Sequence, residues 1–315
     1  MPGAGAATPG EDATTSVPGA VPVPVLLTKA RFPIRLVALD LDGTLIENDG
    51  PIRERTRRAV AAVVAQGVPV AIATGRMATS VRPYVDALGL LTPIISYQGG
   101  LIRDVAPDGR LGRLLFHRPL AAAAAREAIE WCSANGFRPH VNHLERFIVA
   151  ADDPNVEDYS KFLGARAEIV PDMARWVTHP VTKVIAVGES GRPEALLDSA
   201  RALFAGRADV TVSHPEFIEF VAPGVSKGRA VRWFARRSGV PLEQVLAIGD
   251  QHNDTSMLAI VGHGVAMPSA PDDVRAVSRY LAPGVEEEGA AQILEALVLA
   301  GDAAPRNAER FRIVP

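Results

Sequence analysis

Cysteine occurs once among 315 residues. No intramolecular disulfide can form, and a thiolate metal site has too few ligands. The single thiol, in Glu130-Trp131-Cys132, falls in a helical pattern and reads as a buried packing residue rather than a nucleophile. Aromatic residues are scarce, 5% against an apolar share of 48%, so Ala, Val and Leu must fill the core. There is no excess of one charge: 33 basic and 36 acidic residues give a net −3, which offers no footing for nucleic acid or an anionic membrane as partner. Long apolar runs are missing as well. Val21-Pro22-Val23-Pro24-Val25-Leu26-Leu27 is broken by prolines and falls far short of the ~20 residues a membrane helix needs. No basic residue precedes it, so the secretory-signal pattern is not met and a cytoplasmic protein is expected. Residues 1–30, rich in Pro, Gly, Ala and Thr, read as a disordered arm. Residues 301–315 read as a loose tail.

What the chain does have is alternation of strand and helix patterns. Leu36–Leu39 is a continuous apolar run, as in a strand covered on both faces. Residues 52–66 carry Ala59, Val60, Val63 and Val64 at helical spacing, and Gly67 ends that helix. Val70–Ala73 reads as the next strand, 77–88 as a helix, and 93–97 as a third strand. Such β–α–β units imply parallel strands joined by right-handed crossovers. Between about 104 and 215 the character changes. A helix over 121–135, strands at 140–143 and 146–150 joined by a tight turn, and a strand–helix–strand run over 181–213 suggest an inserted lobe of roughly 110 residues. Alternation then resumes at Lys227 and continues through Val245–Ile248 to Met267.

Four separated segments end apolar runs on groups suited to phosphate chemistry. Asp40 closes the first strand and Asp42 follows two residues later. Alone, Asp40 could cap a helix, but paired carboxylates repel unless a cation lies between them. Asp250, at the end of Val245-Leu246-Ala247-Ile248-Gly249, adds a third carboxylate. A hard, oxygen-seeking cation such as Mg²⁺ suits such a set. Thr74-Gly75 offers a hydroxyl and free backbone N–H groups at a helix start. Lys227 stands where the chain returns from the insert and begins a helix. Open α/β sheets gather ligands at these carboxyl ends.

Asp40-Leu41-Asp42-Gly43-Thr44-Leu45, Thr74-Gly75-Arg76, Lys227 and Gly249-Asp250-Gln251-His252-Asn253-Asp254 occur in the order of the four motifs of haloacid dehalogenase-like phosphohydrolases. The chain resembles that superfamily over roughly residues 34–298, and the insert's position resembles the Cof-type branch, subfamily IIB. The resemblance implies an α/β fold: a Rossmann-like core (31–104 and 216–300) with a parallel sheet, and an inserted α/β cap of type C2 (105–215). It implies that Asp40 attacks phosphorus and Asp42 serves as general acid and base. Thr74, Gly75, Lys227 and Asn253 would hold the phosphoryl group. Mg²⁺ would be bound by Asp40, the Asp42 backbone carbonyl and Asp250, with Asn253 or Asp254 as a further ligand or an orienting group. Two departures stand out: Gln98-Gly99-Gly100 where relatives often have Asn-Gly-Ala, and Pro268-Ser269-Ala270 where they often have Gly-Asn-Ala.

The expected activity is therefore Mg²⁺-dependent hydrolysis of a small phosphorylated metabolite, of the sugar phosphate or pyridoxal phosphate type, by a monomer or homodimer. A phosphomutase and a non-catalytic phospholigand-binding module are the rival readings. His140 and His143 are placed on opposite strand faces, against a second metal site. His143, Glu145 and Arg146 are weighed as leaving-group contacts, and Glu286–Glu288 as a solvated loop.

Overall fold

The computed structural model describes residues 33–301 apart from 48, 107, 109, 152, 154, 155 and 164. The expected N-terminal arm, and all but the first residue of the expected tail, lie outside the described residues. In chain order the elements begin with β1 (Leu36–Leu39), α1 (Glu54–Ala65), β2 (Val70–Ile72), α2 (Ala78–Ala87), β3 (Ile94–Ser96), β4 (Leu101–Val105) and β5 (Leu111–His117). There follow α3 (Ala122–Ala134), β6 (Arg138–His143), β7 (Arg146–Ala150), α4 (Val156–Leu163), β8 (Ala167–Val170), α5 (Met173–Trp176), β9 (Lys183–Val187), α6 (Arg192–Leu203), β10 (Asp209–His214) and β11 (Phe217–Val221). The chain then runs through α7 (Lys227–Arg237), β12 (Val245–Gly249), α8 (Thr255–Leu258), β13 (His263–Ala266), α9 (Asp272–Ala276), β14 (Tyr280–Leu281) and α10 (Gly289–Leu294).

A five-stranded parallel sheet, ordered β14-β13-β12-β1-β2, places β1 between β2 and β12. All four residues of β1 are buried because both sheet faces are covered. The two-residue period of the strand decides which layer each joins. Val37 and Leu39 pack with Val60 and Val63 of α1 and with α10. Leu36 and Ala38 pack with Val231 and Phe234 of α7 and Leu258 of α8. A parallel bridge between Ala73 and Ile95 carries the sheet on to β3, which pairs antiparallel with β4 and through it with β5.

Residues 138–221 build a six-stranded sheet, ordered β10-β11-β9-β6-β7-β8 and antiparallel except at β7–β8. Val141, Val184, Ala186, Ile218 and Phe220 turn one face toward α3 and α6. His140, Asn142, Lys183, Ile185, Phe217 and Glu219 occupy the alternate positions and line a cavity that also holds Asp40, Asp42 and Asp250. The expected limits of the insert, 105–215, cut through two pairings. β5 is hydrogen-bonded to β4, and its Leu115 and Phe116 pack against the layer containing α7. β11 pairs with β9 and β10. Residues 104–117 and 214–221 carry hairpin strands, whose periodicity does not tell which sheet they join. Among the described residues, no helix is long and apolar enough to cross a membrane.

Candidate active site

β1 and β12 are hydrogen-bonded neighbours in register Leu39↔Ile248, so the residues just past their ends, Asp40 and Asp250, come together. Asp40, Asp250 and Asp254 each offer a carboxylate oxygen within 4.8 Å of the others, and all three are buried. Lys227, with no exposed surface, donates from Nζ to Asp40 Oδ1 at 2.6 Å and to Asp254 Oδ1 at 2.6 Å. Ser226 starts α7 by accepting the N–H of Arg229, which fixes Lys227 as the first helical residue, aimed inward. Glycines let the chains approach. Gly43 has φ +69°, and a methyl there would collide with Asp250 Oδ2; a methyl at Gly249 would collide with Asp254.

Burial, then the charge of Asp254, pushes the Asp40 carboxyl up to about 7 against the opposing pull of Lys227. Burial, then the charge of Asp40, holds Asp250 well above the usual range. Burial alone would lower Lys227, but Asp254 and Asp40 outweigh it and leave the ammonium raised. Asp250 Oδ1 is buried and accepts from no described residue. An excess of buried negative charge beside an unpartnered oxygen fits a divalent cation held by Asp40 and Asp250. Asp254 is differently employed: Oδ1 takes Lys227, while Oδ2 accepts the N–H groups of Asp250 at 2.9 Å and Gln251 at 3.0 Å. It therefore shapes the turn that presents Asp250.

Asp42 lies outside this cluster. Its Oδ2 accepts from Arg76 Nε at 2.7 Å, and Arg76 Nη2 also pairs with Asp42 Oδ1 and with Asp49. Thr74 Oγ1 accepts the N–H of Arg76 at 3.1 Å. Gly75 O accepts from Lys183 Nζ at 3.0 Å. Lys183 Nζ also pairs with Glu219 Oε1 at 2.8 Å, and Glu219 Oε2 accepts from Gln98 Nε2 at 3.1 Å. Gln98 Oε1 in turn accepts from Asn253 Nδ2 at 3.0 Å. This relay joins the insert's sheet to the turn after β12, and it uses the Gln98 that departs from the Asn common in relatives. Asn253 thus binds Gln98, while its Oδ1 is buried with no partner among the described residues.

Of the weighed leaving-group contacts, none lines the cavity. Glu145 pairs with Arg103, Arg146 pairs with Glu168, and the His143 ring stands 4.7 Å from that of His179. The cavity, about 770 Å³, is lined instead by His140, Asn142, Tyr159, Lys183, Phe217 and Glu219. His140 Nε2 is bonded to Asp153 Oδ2 at 2.6 Å. The sequence does carry a signal for Lys183 and Glu219. Each is a lone charge inside an apolar strand, Val-Thr-Lys-Val-Ile and Phe-Ile-Glu-Phe-Val, and a buried charge demands a partner.

The profile of the haloacid dehalogenase-like hydrolases matches residues 37–294. An HMP-PP phosphatase of Cronobacter sakazakii is 29% identical over 236 residues, covering 75% of this chain and 85% of its own. A 5-amino-6-(5-phospho-D-ribitylamino)uracil phosphatase of Bacillus subtilis is 26% identical over 283 residues, covering 82% and 96%. The crystal structure of a haloacid dehalogenase-like hydrolase from Bacteroides thetaiotaomicron superposes with a TM-score of 0.71 at 26% identity, covering 83% and 98%. With its four motifs converging on one crevice and the family profile spanning most of its length, the chain belongs to the haloacid dehalogenase-like hydrolases, as a Cof-type phosphatase.

Proposed function

We propose that this phosphatase is Mg²⁺-dependent, forms an aspartyl-phosphate (an acyl phosphate) on Asp40, and acts on small metabolites whose leaving group carries a heterocyclic ring. The observation that carries the chemistry is the buried Asp40 carboxylate, held by Lys227 and facing the unpartnered oxygen of Asp250, at the floor of a cavity. When bound, Mg²⁺ would supply charge neutralisation between Asp40, Asp250 and the phosphoryl oxygens. Lys227 would fix the Asp40 oxygen and offset charge gathering at phosphorus. Thr74 and the Gly75 N–H would orient the phosphoryl oxygens.

Asp40 would attack phosphorus as the ester P–O bond breaks, and Asp42 would give a proton to the departing alkoxide. Water would then attack phosphorus, Asp42 would accept a proton from that water, and the O–P bond of the acyl phosphate would break, returning the Asp40 carboxylate and releasing inorganic phosphate. To reach the leaving oxygen Asp42 must leave Arg76, and Asp49 remains to satisfy the guanidinium. The six-stranded insert would act as a cap, closing over the crevice and selecting the leaving group. Its cavity wall brings the rings of His140 and Tyr159 to 4.8 Å and those of His214 and Phe217 to 4.8 Å, a surface suited to a planar ring. One relative is named for a uracil-bearing phosphate ester, in keeping with that wall.

The test is release of phosphate from a panel of ~100 phosphorylated metabolites, ranked by kcat/KM. Asp40→Asn is expected to lower hydrolysis by about 10³-fold or more with the fold intact by circular dichroism. Chelation should abolish activity and Mg²⁺ restore it. Turnover surviving in Asp40→Asn would refute the assignment of the nucleophile.

A further inference from the structure

A second cavity, a groove of about 820 Å³, lies against the outer face of α7 and shares no lining residue with the catalytic crevice. Its rim carries five arginines: Arg118, just past β5, and Arg229, Arg232, Arg236 and Arg237 of α7. Its floor is apolar and aromatic, with Ile102, Phe116 and Trp233. No carboxylate is among the lining residues.

Helix stability does not account for this arrangement. Cations in the last turn favour the helix dipole, which explains Arg236 and Arg237 but neither Arg229 in the first turn nor Arg118 on another segment. Arg229, Arg232 and Arg236 follow one another at spacings of three and four, where like charges repel. Arg229 Nη1 donates to Gly224 O at 2.9 Å, and the Arg237 guanidinium lies 5.8 Å from the Trp233 ring centroid. The side chains of Arg118, Arg232 and Arg236 make no hydrogen bond or ion pair among the described residues. Three uncommitted guanidinium groups thus converge from two segments on one concave site of ligand-binding size.

We propose that this groove binds a nucleoside di- or triphosphate, at a site separate from the catalytic one. Guanidinium forks pair bidentately with phosphate oxygens, and several of them can grip consecutive phosphates. Phe116 and Trp233 supply a floor against which a base can lie. A single small polyanion suits a bounded groove on a chain of net charge −3, where a long nucleic acid would meet repulsion beyond it. The occupied groove would also touch Ser226, the residue that starts α7 next to Lys227, so the ligand would abut the helix that aims the catalytic ammonium.

The test is calorimetry of ATP binding to the full chain in EDTA, with Trp fluorescence recorded in parallel. One ATP per chain is expected at this groove. Arg232→Ala/Arg236→Ala and, separately, Arg118→Ala should each weaken binding at least about tenfold. Hydrolysis of p-nitrophenyl phosphate should stay within about twofold of the unsubstituted chain, because none of these side chains lines the crevice. Because Arg118 and Arg236 are exposed, loss of fold would not mask the result. Binding that is absent, or unchanged in both variants, would overturn the site. Equal affinity for inorganic tripolyphosphate would overturn the nucleoside assignment. A single-stranded oligonucleotide binding tenfold more tightly than ATP would overturn the small-molecule reading.

Discussion

Asp40 and Asp250 carry raised pKa values in the metal-free chain, because burial penalises ionisation, with added repulsion from Asp254 at Asp40 and from Asp40 at Asp250. A carboxyl raised in the folded state contributes stability that is full below its unfolded value, near 3.8, and is lost as pH rises through about 7. The metal-free protein is therefore expected to lose this contribution progressively from about pH 4 to about pH 7, so less of it remains at pH 8.5 than at pH 5.5. A cation binds the ionised pair and reverses the loss. Thermal melts should show Mg²⁺ raising Tm by at least about 3 °C more at pH 8.5 than at pH 5.5. An equal gain at both values would count against Asp40 and Asp250 as the ligands. Gly43→Ala forces Asp250 aside and places an L side chain at φ +69°. It is expected to lower Mg²⁺ affinity ~10–100-fold, read by titrating activity against Mg²⁺. At this scale the sequence was informative wherever a motif fixes position. The motifs that carry Asp40, Lys227, Asp250 and Asp254 are far apart in sequence, and the structure places those four side chains side by side. The sequence did not reveal that Asp42 pairs with Arg76, since that depends on a side-chain direction set by Asp49 and the Thr74 turn.

Among elements, the junction between β9, β11 and the turn after β12 is the most exacting. Lys183 and Glu219 are both buried, and Glu219→Gln leaves the ammonium without its carboxylate. Stability should fall by about 3–5 kcal/mol in urea denaturation, because an uncompensated buried charge remains. Lys183→Met/Glu219→Leu removes both charges and should recover most of that loss. The parallel strands β1, β2 and β12 were legible as short apolar runs, and α1 as an apolar stripe ended by Gly67, whose φ is +78°. β4, β5 and β8 were not. Their sequences mix charged and apolar residues because one face is only partly covered, as the intermediate burial along β5 shows. Period alone could not assign them to a sheet.

For the molecule as a whole, the chain passes between the parallel sheet and the six-stranded sheet twice, after β5 and after β11. The cavity between them takes its chemistry from one sheet and its ring-lined wall from the other. Phe217→Ala should therefore raise KM for ring-bearing phosphate esters about tenfold while leaving p-nitrophenyl phosphate kcat nearly unchanged, since it removes packing around the leaving group only. An equal fall in kcat for every substrate would place Phe217 in support of the reacting groups instead. The change in strand and helix rhythm near 104 precedes the residues that build the six-stranded sheet. The inner face of that sheet was not legible, because which of two alternating strand faces looks toward the crevice depends on where α3 and α6 pack.

Cys132, the lone thiol, is buried in α3, and burial pushes its ionisation upward. The chain is thus a nearly silent background for maleimide dyes. Ala61 on α1 and Ala195 on α6 are both exposed. A pair of cysteines introduced there would carry donor and acceptor fluorophores on the two lobes. Their energy-transfer efficiency, followed as a slow substrate analogue is added, would report in single molecules whether the distance between the two lobes changes on binding.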